Sequence, residues 1–192
     1  QGSLACQASG VAAGLLTPLA EAQELSPVLE LGLRSLEIHG SLSQELLEAT
    51  GISVEFHQTK VLRVAFDDED VKHLKGTLAW QQRLGLRLSW CNADELRFLE
   101  PELSPDTQGG LYSEDEAQVE AYPYVLALAR ASELARTHIT YSSAHQIQVH
   151  HGKVLGVKTS SHVISSGAVV IAMGPWSHIA GDWIGHNIPI LP

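Results

Sequence analysis

The chain has 192 residues, 44% of them hydrophobic, and a formal net charge of −10. That length and hydrophobic share fit a folded protein with one sizeable core or two small ones, and exclude a disordered chain. The acidic balance argues against nucleic acid as a partner, because phosphate binding needs clustered Lys and Arg, and against an anionic membrane surface.

No apolar run approaches the roughly 20 residues that cross a bilayer. The opening Gln1-Gly2-Ser3-Leu4-Ala5-Cys6 lacks the basic-then-apolar pattern of a signal peptide. Cys6 and Cys91 are too few for a disulfide framework and too far apart for a metal pair, so two reduced thiols in a cytoplasmic protein are expected. The only methionine is Met173, so a chain starting at Gln1 is expected to be a fragment, a trimmed product or a partial gene read.

In chain order, Pro18 to Ser26 reads as a linker-like lead-in. Ser26 is a good N-cap, Pro27 suits the first helical position, and Glu30 sits near the positive helix end. Leu29, Leu33 and Leu36 share a face, Leu42, Leu46 and Ala49 continue it with a phase shift near Gly40, and Gly51 ends the helix. Val54 to His57 and Lys60 to Phe66 read as a hairpin or two neighbouring strands. Asp67 caps a helix with the acidic first turn Asp68, Glu69 and Asp70, the inward face Val71, Leu74, Leu78 and Gln81/Leu84, and the stop Gly85.

Leu86 to Trp90 reads as a strand, Asn92 caps a short helix over Ala93 to Leu99 that Pro101 stops, and Gly109 to Ser113 reads as another strand. Pro123 to Thr137 is a predicted helix with Val125, Leu126, Leu128, Ala129 and Leu134 towards the core. Ile139 to Ser142 is a predicted strand. Ile147 to Val149, the turn His150-His151-Gly152-Lys153 and Val154 to Thr159 form a predicted hairpin. Ser160-Ser161 turns the chain again, and Val163-Ile164 is short and extended. Val169 to Met173 reads as an apolar strand buried on both faces, as in the middle of a parallel sheet. This succession is an α/β arrangement, with no internal repeat.

Two stretches carry chemistry. In Ser9-Gly10-Val11-Ala12-Ala13-Gly14-Leu15-Leu16, the residues Ala12, Ala13 and Gly14 have almost no side chain, so the backbone can approach a flat ligand. In Ala172-Met173-Gly174-Pro175-Trp176-Ser177, Gly174 follows the apolar run, where ligands of open α/β sheets sit. Each alone is an ordinary small-residue turn. The ten histidines offer no ligand spacing: His150-His151 belongs to a solvated turn, and the others lack i,i+4 partners on one helix. The acidic run Asp67 to Asp70 is a helix N-terminal cluster, since the glycine and distal Glu of a calcium loop are missing. Trp80, Trp90, Trp176 and Trp183 are expected to pack the core and interfaces.

Together, the two stretches resemble the S-x-x-A-A-G-x-L and A-x-G-x-W-S segments of the flavoenzyme superfamily that holds D-amino-acid oxidase, sarcosine oxidase and glycine oxidase. Thr59 to Phe66 is similar to the first substrate-domain strand of that superfamily. Glu114 to Glu120 is similar to its D-x-x-Q-V-x-P region, with Ala121 in place of the proline. The likeness covers nearly all of the chain and favours the bacterial glycine oxidase branch, which serves thiamine thiazole synthesis.

The resemblance implies an FAD-binding domain split in sequence, with an antiparallel-sheet substrate domain inserted. Residues 1–51 and 114–185 would belong to the FAD domain, 52–113 to the substrate domain, and 186–192 to the return into it. It implies that Ala8 and Ser9 lie near the flavin diphosphate, that Ala13, Gly14 and Leu15 line the flavin ring, that the Ala144 backbone faces the adenine, and that Gly174 is the turn glycine beside the cofactor. Pro175 and Ala144 depart from the commoner residues without removing a backbone contact.

The dinucleotide fingerprint G-x-G-x-x-G and the acidic residue that holds the adenosine ribose are not in the sequence. The arginine that would grip a substrate carboxylate would follow Pro192. No catalytic residue and no metal ligand is therefore assigned. The implied activity is oxidation of a small amine or amino acid, glycine foremost, to the imine and then the oxo acid and ammonia, with O2 reduced to hydrogen peroxide. The superfamily also offers a sarcosine or D-amino-acid oxidase and a quinone-linked dehydrogenase. The branch often forms homo-oligomers. The 192 residues by themselves are expected to bind flavin weakly or not at all and to be inactive, serving at most as a folding or interaction unit.

Overall fold

The computed structural model describes residues 2–190. Leu4–His138 forms one compact unit, and residues 139–190 form another, to which Gly2 and Ser3 also belong.

The first unit opens with a short helix α1 (Ala8–Val11), a two-residue strand β1 (Leu15–Leu16) and a one-turn helix α2 (Pro18–Glu21). The lead-in expected over Pro18 to Ser26 thus contains a helical turn, and its Leu19 is only 1% exposed. The long helix α3 (Pro27–Thr50) starts where Ser26 Oγ accepts from the Leu29 N–H at 3.3 Å. It ends at Gly51, in the left-handed conformation, whose N–H donates to the Leu47 carbonyl at 2.8 Å. Leu29 and Leu46 are buried on its inner face, but Ala49 is exposed and Ser43 takes a buried place instead. The Ser43 hydroxyl tolerates this because it donates back to the His39 carbonyl.

One continuous strand β2 (His57–Ala65) replaces the hairpin or two neighbouring strands expected over residues 54–66. Val54 is buried in the core without joining the sheet, and the Glu120 N–H donates to its carbonyl. Helix α4 (Asp68–Gln82) is capped by Asp67, which accepts from the Asp70 N–H at 2.9 Å. Strand β3 (Leu88–Asn92) runs into helix α5 (Ala93–Leu99) through a full capping box. There Asn92 Oδ1 accepts from the Asp94 and Glu95 N–H groups, and Glu95 accepts from the Asn92 N–H. Strand β4 (Gly109–Gln118) is twice the expected length, and helix α6 (Ala121–Leu134) follows it. On α6 the fully buried residue is Ala127, while Leu134 is 52% exposed, so the inward face lies further round than the sequence pattern suggests.

β4 is the centre of this antiparallel sheet. β2 runs along one edge over its whole length, while β3 pairs with Gly109–Ser113 and β1 with Ala117–Gln118 on the other. Two cores result. Leu46, Val54, Val119 and Ala127 join α3 and α6 to one end of the sheet, and Ala65, Leu74, Leu88 and Leu111 seat α4 on its face.

The second unit is a three-stranded antiparallel meander, β5 (Ala144–His150), β6 (Lys153–Thr159) and β7 (Val163–Ser165). As expected, His151 and Gly152 form the turn of its first hairpin, both at positive φ. Two strand expectations fail. Ile139–Ser142 is irregular, and β5 starts at Ala144 instead. Val169–Met173 is not a strand, and Val170 is 90% exposed. No strand among the described residues pairs with that run, and an apolar segment becomes a central strand only when neighbours supply ladder hydrogen bonds on both sides. A 3₁₀ turn (Gly174–Trp176) then leads into helix α7 (Ser177–Ile184), which Gly185 closes in the left-handed conformation.

Candidate functional site

The first candidate stretch is an exposed strip of small side chains anchored from behind. Ala8, Ser9, Ala12 and Ala13 are exposed, Val11 is 85% exposed and Leu15 59%. The strip is fixed by β1, where Leu15 pairs with Gln118 and Leu16 with Ala117, and by the Val119 N–H, which donates to the Gly14 carbonyl at 2.9 Å. Gly14 has φ +75°, and a Cβ there would run into the Val119 carbonyl oxygen. Its missing side chain is therefore required by the approach of two backbones, independently of any ligand.

The second stretch lies in the other unit. Gly174 has φ +54°, and a Cβ there would meet nothing within 4 Å, so this turn leaves open space beside its backbone. The Trp176 N–H donates to the Met173 carbonyl at 3.2 Å, and His178 Nδ1 is 2.8 Å from the Pro175 carbonyl oxygen. Of the core and interface packing expected of Trp176, the core part is not seen among the described residues, since it is 49% exposed, whereas Ser177, Ala180 and Gly181 are buried. Ala144 is exposed and opens β5 opposite Thr159. Ala8, Ser9, Ala13, Gly14 and Leu15 thus share one strip of the first unit, while Ala144 and Gly174 belong to the second. Each taken by itself, the strip presents small exposed side chains at Ala8, Ser9, Ala12 and Ala13, and the Gly174 turn leaves open space beside its backbone.

Sequence reasoning missed one group. Glu116, in the middle of β4, is 1% exposed. Its Oε1 accepts from the Ala20 N–H at 3.1 Å. Burial drives its carboxyl from the ordinary 4.5 up to about 7, against the pull of the Ala20 and Leu19 N–H groups. Alternation along a strand does not reveal an inward acid, and the surrounding Glu114, Asp115 and Glu120 make this segment read as a solvated face. Among the described residues, no group of three or more His, Cys, Asp or Glu could hold a metal ion, and no helix is long and apolar enough to cross a membrane.

A family model described as "FAD dependent oxidoreductase" (DAO) matches residues 1–192. The chain belongs to the DAO family of FAD-dependent oxidoreductases. Glycine oxidase of Bacillus subtilis is 27% identical over 191 residues, covering 100% of this chain and 50% of that protein. The HcnC subunit of hydrogen cyanide synthase from Pseudomonas aeruginosa is 26% identical over 166 residues, covering 85% of this chain and 40% of the subunit. Among solved structures, glycine oxidase from Geobacillus kaustophilus superposes with a TM-score of 0.89 at 28% identity, over 96% of this chain and 50% of that one. The chain thus spans about half the length of the DAO-family relatives it matches. The mixed α/β fold with antiparallel sheets and the resemblance to the glycine oxidase branch agree with these matches.

Proposed function

We propose that this chain is part of an FAD-dependent oxidase of a small amine or amino acid, with glycine as the foremost substrate and O2 as the electron acceptor. The observation that carries the reading is the match along all 192 residues to the FAD-dependent family, with glycine oxidases aligned from end to end of the chain.

The roles follow the residues. The flat strip Ala13-Gly14-Leu15 would lie against the flavin ring through its backbone, and Ala8 and Ser9 would lie beside the diphosphate. Ala144 would offer its backbone to the adenine, and Gly174 would leave room for the cofactor at the turn. In the notation of chain segments, 1–51 and 114–185 would form the FAD domain, and 52–113 and 186–192 the substrate domain. FAD supplies the two-electron oxidation, which amino-acid side chains cannot perform. The contribution of this chain would be an exposed strip of mostly small side chains whose Leu15–Leu16 end is held to β4 by ladder hydrogen bonds. No residue described here is assigned to the chemical step.

The test is made on the whole protein that carries this chain. Expected results are a flavin absorption spectrum at one FAD per subunit, and oxygen uptake with hydrogen peroxide release on glycine addition. Flavin reduction by glycine without oxygen uptake would replace the oxidase by a dehydrogenase. Activity on sarcosine or a D-amino acid but not on glycine would move the substrate. Absence of flavin would end the reading.

A further inference from the structure

A small chamber lies in the first unit between α2, α4 and the sheet. It measures about 10 Å³ and is lined by Arg63, Gln81, Ser113 and Glu116 among leucines and Val61. That is room for about one water molecule, and a water held indoors needs two to four polar partners. Gln81 is 0% exposed, Glu116 1% and Ser113 5%.

Each of the four residues brings a buried polar atom with no hydrogen-bond partner in the protein: Arg63 Nη1, Gln81 Oε1, Ser113 Oγ and Glu116 Oε2. In two of the four, the other polar atom of the same group is engaged. Glu116 Oε1 accepts from the Ala20 N–H, and Gln81 Nε2 donates to the Leu19 carbonyl at 2.9 Å. Leaving four such groups buried without partners is unfavourable, so each calls for a partner.

The donor count closes on one water. Arg63 Nη1 and the Ser113 hydroxyl can donate to it, and Gln81 Oε1 and the Glu116 carboxylate can accept from it. When Glu116 is protonated, Oε2 becomes the donor and the Ser113 hydroxyl rotates to accept, so the count still closes.

We propose that this chamber is a built site for a single ordered water, bound by Arg63, Gln81, Ser113 and Glu116, which locks α2 onto α4 and the sheet. Glu116 and Gln81 act as positioning residues. They grip the adjacent backbone groups of Leu19 and Ala20, just beyond β1, and the water fixes the far ends of both side chains. This site does not rest on the flavin reading, because none of the four residues that form it belongs to the candidate strip or to the Gly174 turn.

The experiment is a crystal structure of the whole protein near 1.5 Å resolution, together with amide exchange of Ala20. Expected is one water peak within hydrogen-bond distance of at least three of the four atoms. Ala20 exchange should be at least tenfold faster in Glu116→Leu, and near wild type in Glu116→Gln, whose amide can still accept from Ala20 and donate to the water. A direct Arg63–Glu116 ion pair closing the chamber, or a chamber without a peak, overturns the proposal. So does Ala20 exchange unchanged in Glu116→Leu. Should Glu116→Leu fail to fold, Ser113→Val supplies the second arm: its methyls fill the chamber, and the peak must vanish.

Discussion

Ser113 and Glu116 face the same chamber although they stand three residues apart on one strand, where alternation would send them to opposite faces. A β-bulge makes this possible. Val61 pairs with Ser113, but two residues back on β2 Thr59 pairs with Glu116, so β4 carries one residue more than its partner between these pairs. The same shift sends Asp115 towards Arg87, whose backbone N–H and Nε both donate to its carboxylate at 2.6 and 2.7 Å. β3 and β1 meet the same edge of β4 on either side of this point, and the α2 backbone occupies the interval through its bond from Ala20 to Glu116.

The buried carboxyl makes stability depend on pH with a definite sign. The folded-state value of Glu116, about 7, lies above the ordinary 4.5. Below pH 4.5 both folded and unfolded chains hold the proton, and nothing is lost. As pH rises from 4.5 towards 7 the unfolded chain ionises first, so stability falls by up to about 3 kcal/mol and is then constant above about 7. Arg63 from β2 opposes the rise, Asp115 on the same strand adds to it, and Glu37 from α3 lines the neighbouring hollow with both acids. Glu116→Gln should remove this slope from a series of denaturant midpoints between pH 5 and 8, and a slope that survives the substitution would assign it to another group.

The capping box at Asn92 is the clearest local device in the chain. Asn92→Ala removes the acceptor for two backbone N–H groups and should cost about 1 kcal/mol. Asn92→Asp should restore most of it, because aspartate accepts the same pair. Chemical denaturation of the three proteins decides the matter, and equal stability of all three would mean that α5 is held by Leu96 packing alone.

Such devices are also what the sequence makes legible. Ser26, Asp67 and Asn92 each cap the helix that their identity announces, because a cap is satisfied within a few residues. The 147–159 hairpin is likewise local. What failed needed distant partners. Val169–Met173 has the composition of a central strand, but a strand exists only if its ladder is supplied, and none of the described strands supplies it. Trp176 reads as a core or interface residue by type, yet among the described residues its neighbours Ser177, Ala180 and Gly181 take the buried positions. Glu116 was hidden because the bulge that turns it inward depends on the pairing of two strands far apart in sequence. The candidate strip was visible as residue type, since small residues in a row need no tertiary context, but the reason for Gly14 was not.

Asp115 and Arg87 are unequal partners despite sharing one ion pair. Asp115 accepts from the backbone N–H of Arg87 as well as from its guanidinium, and the arginine side chain is 63% exposed. Asp115→Ala should therefore destabilise the protein more than Arg87→Ala, since only the first leaves a backbone donor without its partner. Thermal melts at low and high salt separate the two effects: the Arg87→Ala loss should shrink with added salt, and the Asp115→Ala loss should largely persist. Equal losses that vanish together in salt would reduce the contact to a surface ion pair.

Gly14 and Gly174 divide the flavin proposal into parts that can be tested separately. A side chain at Gly14 collides with the Val119 carbonyl and must adopt a left-handed backbone, so Gly14→Val should cost about 3 kcal/mol or more before any cofactor is considered. Lost flavin in that variant would report on the fold. At Gly174 a Cβ meets nothing within 4 Å, and the left-handed conformation alone costs about 1 kcal/mol for alanine. Gly174→Ala should therefore melt only slightly below the wild type and Gly174→Val further below it, because a β-branched side chain is strained at positive φ, while FAD occupancy of the whole protein falls progressively with side-chain size. Full flavin content in both Gly174 variants, whatever their loss of Tm, would remove Gly174 from the cofactor site and leave the strip at Ala13 to Leu15 as the contact to examine.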